Sequence, residues 1–117
     1  MILDWQSGLQ TYPGVDVAWL FTSAETPDLV DAEDELLGAY LDQLAVSGGP
    51  AWTVDQLKDD MSFSLMYHVT GSAATLNQIP PEVPADMRPR SRFEKFLAGG
   101  VNAAARWDAG ERIAAMR

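Results

Sequence analysis

The chain has 117 residues, enough for one small domain, and 47% of them are apolar, enough to furnish a packed core. The absence of cysteine excludes a disulfide framework, a thiol nucleophile and a thiolate metal site. The net charge is −9 and uneven: residues 1–60 hold twelve acids against one base, residues 61–117 five acids against seven bases, so a phosphate backbone would be repelled and nucleic acid is not an expected partner.

No apolar run reaches the length of a membrane span, so no membrane association is expected. The start, MILDWQSGL, has no basic residue and carries an acid at position 4, unlike a secretory signal. The expectation is a cytoplasmic protein.

Ile2-Leu3-Asp4-Trp5 reads as a short extended segment running into a loop. Residues 7–14 supply that loop, with two glycines and a proline. Residues 15–21 are apolar nearly all round. Periodicity alone does not separate strand from helix there, and Gly14 and Asp16 near the start favour a short buried helix. Thr26-Pro27 is a helix start, with Thr as the cap and Pro in the first turn. Leu29, Val30, Glu33, Leu36, Leu37, Tyr40, Leu41 and Leu44 then recur at helical spacing up to the stop Ser47-Gly48-Gly49-Pro50.

Thr53-Val54-Asp55-Gln56 is a capping box that opens a long helix through Leu57, Met61, Leu65, His68, Val69 and Leu76. Its middle is apolar on more than one face, which places it centrally. Prolines at 80, 81, 84 and 89 form a link that is not expected to be helical. Ser91-Arg92-Phe93-Glu94 is a second capping box. It starts a helix bearing Phe93, Phe96, Leu97, Val101 and Ala104, with Trp107 near its end and Gly110 separating a last turn or two. The pattern predicts a mainly α protein, a bundle of about four helices with a short extended N-terminal segment, residues 1–117 forming one domain.

Catalytic signals are sparse. His68 is the one histidine, and on a helix beside Leu65 and Val69 it reads as a core or half-exposed residue with a hydrogen-bond partner. No Walker A, GxSxG or GxGxxG pattern is present. Gly99-Gly100 reads as a close helix contact. The acidic strings Asp31, Glu33, Asp34, Glu35 and Asp55, Asp59, Asp60 read as solvated helix faces. The basic cluster Arg88, Arg90, Arg92 and Lys95 reads first as a solvated helix start, with docking against the acidic half or an acidic partner as the alternative. Asp4 stands apart. An acid between Ile2, Leu3 and Trp5 needs a pair, a hydrogen bond or a cation if it is desolvated.

The residues around Asp4 carry a longer likeness. Ile2-Leu3-Asp4-Trp5-Gln6 resembles the (V/I)-I-D-W-(Q/E) segment of the aminoglycoside phosphotransferase, choline kinase and ecdysteroid kinase-like superfamily, which corresponds to the DFG motif of protein kinases. Pro13-Gly14-Val15-Asp16-Val17-Ala18-Trp19-Leu20 is similar to the Pro-Gly and apolar helix that follow in that superfamily. Residues 33–44 follow its acidic helix, E-x-x-L-L-x-x-Y-x-x-x-L, and residues 48–57 its glycine, aromatic and capped helix. The likeness covers about residues 1–70, and the rest agrees in character only.

The resemblance implies the C-terminal helical subdomain of a protein-kinase-like fold. Residues 1–25 would be the remnant of the metal-binding segment and the buried helix after it, and residues 26–117 the helical subdomain. Asp4 would hold Mg²⁺ on the phosphates of ATP. Asp16 would brace the catalytic loop by hydrogen bonds, and Trp5 and Gln6 would help shape the site. A small-molecule hydroxyl would be the acceptor. Phosphoryl transfer also needs a loop over the phosphates, a lysine and a catalytic aspartate. The superfamily's H-G-D-x-x-x-x-N loop lies upstream of the D-W segment, where only Met1 stands here. The chain alone is therefore expected to be inactive and to bind no cofactor. It is expected to meet either a missing N-terminal kinase part or a second copy in a homo-oligomer, covering Trp19, Leu20 or Phe21. A non-enzymatic helical interaction module is the alternative.

Overall fold

The computed structural model describes residues 13–78, 84 and 88–116, with side chains from 93 onward in the last stretch. The protein is mainly helical. Its elements are α1 (Gly14–Ser23), α2 (Pro27–Asp31), α3 (Glu33–Val46), α4 (Val54–Gln78), α5 (Arg88–Arg106) and α6 (Ala109–Ala115). The extended N-terminal segment expected at residues 2–5 lies outside the described residues.

Local chemistry explains most of the boundaries. Thr26 caps α2 by accepting the Leu29 N–H at 3.2 Å, with Pro27 in the first turn. Thr53 and Gln56 form both bonds of the capping box, at 3.2 and 2.9 Å. Gly48 leaves α3 with φ of 84°, a left-handed turn that lets the Gly49 N–H reach the Leu44 carbonyl at 2.9 Å.

Three expectations are corrected. The single helix expected from Thr26 to Ser47 is two, because the chain breaks at Ala32 between α2 and α3. Helix α5 begins at Arg88 rather than at the Ser91 box, and Pro89 lies in its first turn, where a missing N–H removes no helical bond. The final break is made by Asp108, whose φ of 51° is left-handed, and Gly110 lies within α6 instead. Among the described residues the expected helices, about four, thereby become six.

Helix α4 is the spine, packing against α1, α3, α5 and α6. Val17, Ala18 and Phe21 of α1, Leu37 and Leu41 of α3, Leu57, Met61 and Leu65 of α4, and Trp107 share one core. Buried hydroxyls in this core are satisfied within their own helices. Thr22 donates to the Ala18 carbonyl, Ser62 to Lys58 and Ser64 to Asp60, at 2.7–2.9 Å. Gly99 lets α5 lie directly on α1: a Cβ there would overlap the Thr22 carbonyl oxygen. This is the close helix contact that the glycine pair suggested.

The acidic run at the start of α3 is not uniformly solvated. Glu33 is 4% exposed. Its carboxylate accepts the Trp107 indole N–H at 2.7 Å and the Arg106 Nε–H at 2.9 Å, with the Lys58 ammonium 3.6 Å away. Arg106 also reaches Glu25 at 3.3 Å, and Lys58 reaches Asp34 at 2.6 Å. A carboxylate survives burial only with such partners. Residues from α3, α4 and α5 are thereby locked at one point. Arg106 Nη2 is buried with no hydrogen-bond partner. Helix α6 is tied back to α4 by Arg112, whose guanidinium meets Asp59 at 2.6 Å and Asp55 at 3.1 Å.

Candidate functional site

The site residues named by the resemblance divide at Pro13. Asp4, Trp5 and Gln6 lie outside the described residues, so the Mg²⁺ assignment of Asp4 stands on the likeness alone. Asp16 is described. It sits in the first turn of α1, exposed to solvent, and its carboxylate accepts no hydrogen bond among the described residues.

The surroundings of Asp16 follow from how α1 is seated. At the helix start the Gly14 N–H donates to Asp60 Oδ2 of α4 at 2.7 Å, one of the N–H groups that a helix leaves unpaired. His68, about two turns further along α4, bonds through Nε2 to the Val15 carbonyl at 3.2 Å. A carbonyl only accepts, so Nε2 carries the proton in that bond. Asp16, Asp60, His68 and Tyr40 of α3 therefore gather around one end of α1. Burial pushes the Asp60 carboxyl above the ordinary range, and the Gly14 N–H pulls it part of the way back. Burial likewise raises the Tyr40 phenol, helped by the charges of Asp16 and Asp60. Burial lowers the His68 imidazole, against the Val15 carbonyl and the Asp16 charge.

Further along α1 the exposed side is aromatic and apolar. Trp19 is 39% exposed and Leu20 54%, whereas Phe21 is buried at 3%. Of the three side chains expected to need an outside cover, Phe21 is covered by the chain itself, because it points into the α1–α4–α5 core. The Trp19 ring lies 4.7 Å from His68 and 4.3 Å from Phe96 of α5. An open cleft of about 550 Å³ runs past it, lined by Met66, Tyr67, His68, Gly71 and Phe93 among others. A second cleft of about 350 Å³ is lined by Trp52, Gln56, Asp59, Asp60, Phe63 and Met116.

Among the described residues the His68 ring is hydrogen-bonded to the Val15 carbonyl and not to a side-chain acid. His68 is half-buried and engaged by a backbone carbonyl, the partnered histidine that its place on the helix suggested. Among the described residues no group of three or more His, Asp or Glu side chains could hold a metal ion. Lys58 and Lys95 both lie in helices, and the Lys58 ammonium is taken up by Glu33 and Asp34.

Two features escaped the sequence. The burial of Glu33 depends on Arg106 and Trp107, more than seventy positions away, and no local pattern signals it. The bond from Gly14 to Asp60 is equally non-local. The one available signal was that Glu33 falls on the apolar stripe of its helix rather than off it.

No family model, curated protein or solved structure matches the chain.

Proposed function

We propose that the chain is the C-terminal helical part of an ATP-dependent phosphotransferase acting on a hydroxyl of a small molecule. In this reading it transfers no phosphate by itself. Asp4 supplies a Mg²⁺ ligand for the ATP phosphates, and a further polypeptide segment supplies the ATP-binding lobe and the catalytic aspartate. The order and spacing of the motifs between Asp4 and Leu44 support the reading.

The observation that carries it is Asp16. Helix α1 is held by α4 and α5 on one side. Its solvent-facing side carries Leu20 and the Asp16 carboxylate, which has no hydrogen-bond partner among the described residues. A bracing aspartate waiting for a catalytic loop would look like this. The non-enzymatic alternative, an interaction module, is favoured by a different observation, the exposed apolar face of α4.

The phosphotransferase reading is tested by what is encoded upstream of Met1, in frame or in the adjacent gene. A histidine–glycine–aspartate loop is expected there. Titration of Mg–ATP into the 117-residue chain is expected to release no measurable heat. Adding the upstream polypeptide should restore a binding heat that Asp4→Ala removes. An upstream region lacking such a loop overturns the reading.

A further inference from the structure

We draw no further inference here: the strongest candidate, the open aromatic cleft between α1, α4 and the start of α5 at Trp19, His68 and Phe93, together with the exposed α4 side chains Met66 and Tyr67 on its rim, is an apolar surface, and nothing in the structure shows what covers it.

Discussion

Glu33 joins α3 to α4 and α5 at one buried point. Its carboxylate is shared between the Trp107 indole and the Arg106 guanidinium, with Lys58 nearby. Removing it would leave the buried Trp107 N–H and the Arg106 Nε–H without an acceptor, and would leave that guanidinium with Glu25 at 3.3 Å. Glu33→Ala is therefore expected to destabilise the fold by about 3–5 kcal/mol, the cost of breaking a buried pair on one side only. Glu33→Gln keeps an acceptor for Trp107 and should lose less. The loss should also be non-additive: in a Glu33→Ala, Arg106→Met double variant the second substitution removes a cation already without its Glu33 acceptor and costs less than it does alone. Urea titrations of the four proteins measure this. Additive losses would mean that the carboxylate and the guanidinium act independently. The sequence shows why the feature was hidden. An acid in the first turn of a helix is ordinarily a dipole partner facing water, and only the distant return of α5 makes this one internal.

At the scale of elements, what is local was legible and what is tertiary was not. The Thr26 cap, the Thr53–Gln56 box and the Gly48 stop are read correctly because every atom of each motif lies within a few residues. The break at Ala32 has no such local mark, since Leu29 through Leu44 keep one helical period across it. The left-handed Asp108 is similarly set by the docking of α6, which Arg112 holds against α4. The glycine pair lies between these cases. Its meaning as a close contact was legible, but its partner on α1 was not. Two glycine substitutions separate packing from propensity. At Gly38, in α3, a Cβ meets nothing within 4 Å. Gly38→Ala should therefore stabilise by about 0.5–1 kcal/mol through helix propensity alone. Gly99→Ala gains the same propensity but drives a methyl into the Thr22 carbonyl, and overpacking of this kind costs about 1–3 kcal/mol. Thermal denaturation should therefore move in opposite directions for the two variants. A rise for both would show that α1 and α5 can separate without penalty.

The described residues form a helical bundle whose exposed faces on α1 and on α4 differ in chemistry. The α1 face carries the Asp16 carboxylate, and the α4 face exposes Phe63, Met66 and Tyr67. Composition made the charge asymmetry visible from the start. The packing of these helices sets the pH response of the fold. Burial lowers the His68 imidazole below its ordinary value of 6.5. Once the pH falls below that value, the unfolded chain binds a proton that the folded chain refuses, so acidification favours unfolding. The stabilisation is complete above 6.5 and is lost as the pH falls from there through the depressed folded value. Asp60 acts with the opposite sign. Its folded carboxyl is raised, so the fold takes up a proton before the unfolded chain does and gains stability as the pH falls from that raised value towards 3.8. As the pH falls below 6.5 the loss of stability therefore belongs to His68, and Asp60 opposes it. His68→Gln, which keeps an N–H for the Val15 carbonyl and cannot titrate, should flatten the fall in urea midpoint below pH 6.5. A slope that persists in His68→Gln would place the titrating group elsewhere and would remove His68 as the link between the pH and the seat of α1.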